Sequence, residues 1–387
     1  MITYYYLCII ILCENMNSKV YFTNLKTEDG YNLLDKLEKL VKTAGIKNID
    51  FKGKFVAIKI HFGEPGNLAY IRPNYARRIV KIIKELGGKP FLTDSNTLYV
   101  GRRANALDHI ESAFENGFNP MVTDCNVIIA DGLKGNDYVD VDVPNAEYCK
   151  KAKIGTAIDE ADIIISMNHF KGHPMTGFGG ALKNLGMGCG SRTGKLDMHS
   201  SAIPIVDIDK CTSCGLCSKK CSQKAISYVN KKAHIDLEKC IGCGQCITTC
   251  NFEAITSEKT NASEVINKKI AEYTYAVVNN KPCFHINFIM NVSPHCDCAA
   301  NNDIPLTPDI GIMASFDPVA LDRASVDMTN EASVTKGSIL DDKMKHEVKH
   351  TTDKFTCIHP DTNWKVGLEH AEKLGIGTEK YEIIEVD

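Results

Sequence analysis

The sequence predicts an α/β body with a mostly parallel sheet and flanking helices, interrupted by a small inserted α+β module. Three observations predict it. Short strand-like apolar runs alternate with amphipathic helical stretches through the first half of the chain. Two copies of one cysteine pattern follow, KCTSCGLCSKKC from Lys210 and KCIGCGQCITTC from Lys239. Strand and helix patterning then resumes, so the cysteine-rich stretch reads as an insertion, which a host accepts when the module's own termini lie close together.

In chain order, residues 1–15 (MITYYYLCIIILCEN) are apolar but lack a basic leader and a small-residue cleavage site, and are too short to span a bilayer. They read as a spurious or frayed extension. MNSKVYFTNL from Met16 gives the first strand, and Val56 to His61 a buried one. From Asn74 to Leu86, Ile79, Ile82, Ile83 and Leu86 recur at helical spacing before Gly87 and Gly88, a favoured helix stop. Strands are expected at Phe91 to Thr93, Val127 to Ala130 and Ile163 to Ser166, with a helix from Ala104 to Asn116 closing at Gly117. After the module come a helix at Glu264 to Tyr273 and strands at Phe284 to Met290 and Ile310 to Ala314. A helix from Trp364 to Leu374 stops at Gly375, and Tyr381 to Val386 is the last apolar segment. The expected units are residues 16–203 and 259–387 for the body and 204–258 for the insert.

The doubled CxxCxxCxxxC pattern points to two [4Fe-4S] clusters, because in this spacing three cysteines hold one cubane and the fourth reaches the other. One cluster would take Cys211, Cys214, Cys217 and Cys250, the second Cys240, Cys243, Cys246 and Cys221. Zinc sites also use CxxC, but place a long spacer between two pairs instead of a third cysteine three residues on. The proline that usually follows the fourth cysteine is replaced by Ser222 and by Asn251.

With 45 basic against 48 acidic residues, nothing in the charge balance suggests a general affinity for nucleic acid or anionic membrane. The 17 cysteines include eight at cluster spacing, and the rest form no disulfide framework, which fits a reducing cytoplasm.

Polar and metal-capable groups gather where strands of an open α/β sheet end, the usual place for a working site. His61 and Glu64 follow one strand, Asp94 and Ser95 the next, then Asp131. Asn168, His169, Lys171 and His173 follow a fourth, His295, Cys296, Asp297 and Cys298 a fifth, and Asp317, Asp322 and Asp327 the last. Cys296 and Cys298 with His169 and His173 could hold a metal in the body or serve as catalytic groups, while His61 and Asp94 would be supporting or acid–base partners. The segment TGFGGALKNLGMGCGSRTGK from Thr176 is rich in glycine, so its amides could form an anion nest with Lys183, Arg192 and Lys195 clamping a carboxylate or phosphate. It meets neither the Walker A nor the dinucleotide pattern, and its glycines serve equally for a tight backbone crossing.

KIHFGEPGN from Lys59, FLTDSNTLYVGRR from Phe91, NHFKGHPMTGFGGALKNLGMG from Asn168, HCDC from His295 and FDPVALDRASVD from Phe316 together resemble the uncharacterised Fe-S centre proteins of the domain-of-unknown-function 362 family. The resemblance covers nearly all of the chain after Met16 and implies an α/β body with an inserted ferredoxin module. It implies no reaction. The expectation is an intracellular redox protein whose clusters take electrons from a soluble carrier or redox partner and pass them to an anion- or metal-binding site in the body, with a small anionic substrate. Two alternatives are a non-catalytic electron-transfer or cluster-carrier subunit docking on a partner enzyme, and clusters that are structural or oxygen-sensing.

Overall fold

Four neighbouring parallel strands form the centre of the computed structural model, which describes residues 17–99, 101–199, 204–242, 245–250, 252, 254–257, 262–346 and 352–387. Residues 1–15, expected to be a spurious or frayed extension, lie outside the described residues, as do Cys243 and Asn251. The first half runs β1 (Ser18–Asn24), α1 (Leu33–Thr43), β2 (Phe55–Ile60), α2 (Pro73–Glu85), β3 (Lys89–Asp94), α3 (Ala106–Glu115), α4 (Pro120–Thr123) and β4 (Val127–Ile129). A hairpin, β5 (Tyr138–Asp142) and β6 (Lys151–Gly155), leads through α5 (Thr156–Glu160) to β7 (Ile163–His169). Then come β8 (Lys171–His173), β9 (Gly177–Gly179), α6 (Ala181–Cys189) and α7 (Arg192–His199).

The cysteine-rich stretch comprises β10 (Pro204–Val206), α8 (Leu216–Lys220), β11 (Ile226–Val229), β12 (Lys232–Ile235), α9 (Gln245–Thr249) and β13 (Ile255–Ser257). Here β10 pairs with β13 and β11 with β12, both antiparallel, so the stretch enters and leaves along adjacent strands. Adjacent ends are what an insertion requires. The body resumes with α10 (Ala262–Val278), β14 (Cys283–Ile289), β15 (Gly311–Ser315), α11 (Pro318–Glu331), α12 (Ile339–His346), α13 (Lys354–Ile358), α14 (Lys365–Lys373) and β16 (Tyr381–Glu385).

The large sheet has the order β16-β1-β15-β14-β7-β2-β3-β4. Only the β1–β15 and β15–β14 pairs are antiparallel. Side chains along the central strands alternate between two apolar layers, as period-two geometry demands. Val56, Ile58 and Ile60 of β2 with Ile163, Ile165 and Met167 of β7 face α1 and α2, while Ala57 and Ile164 face α6 and α10. Burial on both faces is why these strands read as nearly unbroken apolar runs.

Local signals account for the helix ends. Pro73 opens α2, and Gly87, with φ of 86°, follows its last turn. Asp317 caps α11, accepting from the N–H groups of Val319 and Ala320, so it is a cap and not a strand-end site residue.

The glycine-rich stretch differs from the expected loop: most of it is helix, in α6 and α7. Its glycines admit α10 at close range. A methyl group on Gly186 would meet the Ile270 carbonyl oxygen at 2.2 Å, and one on Gly194 the Tyr273 ring at 2.9 Å. Of the two readings of these glycines, the tight crossing is the one this geometry favours.

Candidate functional site

A cavity of about 110 Å³ lies off the carboxyl ends of β2, β3 and β7, the position open α/β sheets reserve for ligands. Five cations line it: Lys59, Arg103, Lys171, Lys183 and Lys195. Lys59 projects from β2 on the same face as Ala57, where its ammonium meets Asp94 at 3.0 Å and the Asn184 side-chain oxygen at 2.6 Å. Arg103 donates to Glu64 at 3.0 Å, lies 3.5 Å from Asp94 and bonds the Tyr99 hydroxyl. Lys195 donates to the Gly190 carbonyl at 2.6 Å, and burial pushes its pKa down to about 8 despite the charge of Asp131. Burial raises the Asp94 carboxyl, but Lys59, together with His61, His109 and Arg103, more than offsets this and holds it well below the usual carboxylate range. Glu64, Asp94 and Asp297 pair with Arg103, Lys59 and Lys171, and the buried Asp131 acts on Lys195, whereas Lys183 faces the Cys296 sulfur and no described carboxylate.

The HCDC segment is organised by its central residue. Asp297 is fully buried and accepts from His169 Nδ1 at 2.9 Å, with Lys171 at 3.2 Å. A turn closed by the Ala299 N–H on the Cys296 carbonyl at 2.9 Å turns both neighbouring cysteines toward the cavity. The Cys296 sulfur receives the Cys298 N–H at 3.5 Å and the Lys183 ammonium at 3.6 Å. Donation by the Cys298 thiol, with Lys183, His173 and Lys171 nearby, brings the Cys296 pKa well below that of an ordinary thiol. His173 Nδ1 accepts from the N–H groups of Met175 and Thr176 at 3.2 Å each. Burial and Lys183 push the His173 pKa down to about 4, so the ring is neutral at pH 7 and its one proton sits on Nε2. His173, Cys296 and Cys298 each offer a ligand atom within 4.8 Å of the others, a set of the kind that holds a metal ion.

In the cysteine-rich stretch, Cys211, Cys214, Cys217 and Cys250 line one cavity of about 20 Å³, and Cys221, Cys240 and Cys246 line a second of the same size. Backbone amides point at the sulfurs: Ala225 at Cys221 and Ala254 at Cys250, each 3.3 Å, and Ala233 at Cys211, 3.5 Å. Gln245, one residue before Cys246, lines both the second of these cavities and the body cavity.

The family model for DUF362, a domain of unknown function, matches residues 56–327. The chain belongs to the DUF362 family. Among curated proteins nothing matches. Two solved structures are similar to it at 12% identity. The lactate racemase apoprotein from Thermoanaerobacterium thermosaccharolyticum has a TM-score of 0.39, with 96% of this chain and 84% of that one covered. A Thermotoga maritima protein known from its crystal structure has a TM-score of 0.40, covering 93% and 88%.

The DUF362 body brings His61, Asp94, His169, His173, Lys183, Lys195, Cys296 and Cys298 to one cavity. Their parts differ. His169 has Nδ1 on Asp297 and Nε2 near the carbonyls of Met290 and Asn291, which leaves neither nitrogen for a metal. Asp94 is committed to its cations. His61 Nδ1 accepts from the Gly63 N–H at 3.0 Å, and burial with Arg103 keeps the ring neutral, so it presents an Nε2 proton. Arg192 does not line the cavity, and its N–H donates to Asp131.

The expected anion nest is filled from within. The N–H groups of Ala181 and Leu182 at the start of α6 donate to Asp322 of α11 at 2.7 and 2.9 Å, and Gly180 lacks the side chain that would collide with that carboxylate. Sequence reasoning passed over Lys59, Arg103, His199 and Gln245 as site residues. A lysine inside the apolar strand FVAIKI was a usable signal, since a buried lysine needs a partner. His199 and Gln245 had none.

Proposed function

We propose that this DUF362 protein is an iron–sulfur redox protein in which residues 204–258 form a ferredoxin-like insert with two [4Fe-4S] clusters serving the cationic cavity of the body. The observation that carries the reading is Gln245, whose side chain borders both the second cysteine cavity and the body cavity. The cysteine grouping supports it: Cys250 of the second repeat stands with Cys211, Cys214 and Cys217, and Cys221 of the first with Cys240 and Cys246. Amides aimed at the sulfurs suit an anionic cluster, since such hydrogen bonds stabilise added negative charge. When bound, the clusters supply one-electron transfer.

The chain's own residues would do the rest. Cys214 is exposed and shares its cavity with the exposed Phe252 and Tyr228, which suits contact with a soluble electron carrier or redox partner. Lys183 and Lys195 would hold a small anionic substrate, because both line the cavity and neither has a carboxylate in salt-bridge contact among the described residues. His61 and His173 present Nε2 protons for donation. Among the described residues no helix is long and apolar enough to cross a membrane. We place the protein in the cytoplasm on its free thiols.

Iron and acid-labile sulfide in anaerobically purified protein test the reading. About eight of each per chain, with electron paramagnetic resonance signals of two cubanes after reduction, are expected. Zinc in their place, or iron without sulfide, would overturn it.

A further inference from the structure

We infer that Cys296 and Cys298 are a redox-active pair, cycling between a disulfide and a dithiol at the wall of the cavity. Their sulfurs face the same space, and the turn closed at Ala299 holds residues 296 and 298 on one short loop. Asp297 between them points the other way, clamped by His169 and Lys171, so the loop is held at its middle while both sulfurs stay free to rotate toward each other. A disulfide needs the sulfurs at about 2.05 Å, and those of Cys296 and Cys298 already lie within 4.8 Å of each other.

The surroundings suit a thiolate better than a metal ion. A histidine that ligates metal through one nitrogen normally donates the proton of the other to a carbonyl or carboxylate. His173 does the reverse: Nδ1 accepts two amide protons, and the ring proton sits on the nitrogen a metal would need. The Lys183 ammonium contacts the Cys296 sulfur, where it favours a thiolate and repels a cation. Hydrogen-bond donors therefore surround Cys296 in the way they surround an attacking or leaving thiolate.

The couple balances simply. The Cys296–Cys298 disulfide accepts two electrons and one proton, the S–S bond breaks, Cys296 is left as the thiolate, and the proton stays on the Cys298 sulfur. Its electron source rests on the reading above: two one-electron centres in the insert match one two-electron bond in the cavity, across Gln245. In the reverse direction the dithiol gives two electrons to an oxidised substrate whose negative charge the cavity lysines receive.

The test is a redox titration of the anaerobic holoprotein in reduced and oxidised dithiothreitol, quenched by alkylation and read by mass on the chymotryptic peptide carrying residues 291–306. We expect the peptide to lose two hydrogens on oxidation and regain them on reduction. Fully oxidised wild type should consume two more electrons per chain than C298S, and C296S, read in the same way, guards against one variant failing to fold. Thiols that stay alkylatable at every potential would overturn the inference. So would a stoichiometric metal beyond the cluster iron that disappears in C298S. Iron and sulfide counted in the same sample separate the two proposals. Clusters without the thiol couple would sink only the pair, and a thiol couple in cluster-free protein would sink the iron–sulfur reading alone.

Discussion

Replacing Asp297 by asparagine removes the charge that holds the HCDC turn while keeping its shape, and the structure sets the size of the effect. Lys171 is buried with its ammonium 3.2 Å from Asp297, a separation worth about 5 kcal/mol of attraction at an effective dielectric of ~20. Breaking one side of such a buried pair costs roughly 3–5 kcal/mol, since the remaining charge stays out of water. Removing both partners costs far less. D297N should therefore lower the unfolding free energy by roughly 3–5 kcal/mol, K171M by a similar amount, and the double variant by much less than their sum. Trp364 is the one tryptophan and sits in the body core, so its fluorescence in urea reports this part of the molecule. The pH dependence has a definite sign. Burial raises Asp297, but His169 and Lys171 more than offset it and leave the carboxyl below its ordinary range. Its contribution is thus present above the unfolded value near ~4 and lost as pH falls below it. The difference between wild type and D297N should be flat from pH 5 to 8 and shrink below about pH 4. Additive single variants, with a coupling under about 0.5 kcal/mol, would refute the argument that the ion pair fixes the turn.

Three further outcomes follow from the same geometry. Gly180→Ala should destabilise the body by roughly 3 kcal/mol in the same urea assay, because its Cβ would lie 2.2 Å from an Asp322 oxygen that already caps α6. A loss below about 0.5 kcal/mol would mean that α11 can draw back. K183M should slow alkylation of Cys296 at pH 7 by about tenfold or more, read by peptide mass, through loss of the cation beside its sulfur; an unchanged rate would remove Lys183 from the site. Acid should unfold the body steeply. Burial lowers His173 to about 4 and His109, His199, His285 and His359 to about 3. The unfolded chain then binds more protons below pH 6.5, so stability present above that pH is lost as it falls toward 4. Burial raises Asp322 to about 6, which offsets one proton. His61 and His295 are lowered in the same direction, so a net of at least about four protons gives roughly 5 kcal/mol or more per pH unit near pH 5, and urea midpoints that do not move between pH 6 and pH 5 would contradict it.

The fold was legible where one physical signal acted alone. Apolar runs flanked by turn residues placed β2, β3, β4, β14 and β15 to within a residue or two and gave the start of β7 but stopped three residues before its end at His169, and α2 ended where its glycines said it would. Helix α10 was cut short in the sequence reading because Asn267, Lys268, Lys269 and Glu272 blur its apolar stripe. Glu272 is polar but buried, accepting from the N–H groups of Glu147, Tyr148 and Cys149, a pairing no local pattern reveals. The glycines of α6 and α7 misled for the opposite reason. Glycine costs a helix about 1 kcal/mol, so a run of them reads as loop, yet here that cost is offset by the approach of α10. Asp322 shows the limit most sharply: an aspartate after a strand looks like a site residue, but it lies one turn into α11 and serves as the anion for another helix.

The distribution of charge is what supports the proposed use of the cavity. A fold gains nothing by enclosing five cations, since each must be removed from water and buried pairs at best recover that cost. Glu64, Asp94 and Asp297 match three of them from behind and Asp131 acts on a fourth, Lys195, which is what stability alone would ask. Lys183 is different: its described partner is the Cys296 sulfur, and its ammonium stands in the cavity beside that of Lys171. Like charges lining one cavity repel, so an anion beside Lys183, or the Cys296 thiolate, gains attraction from a cation that no described carboxylate contacts. The same four strands that carry the sheet's core end in this charge, and the cysteine module is set against it at Gln245. An electron arriving there would meet a site where added negative charge is favoured, and that is the physical reason to read the module and the cavity as one device.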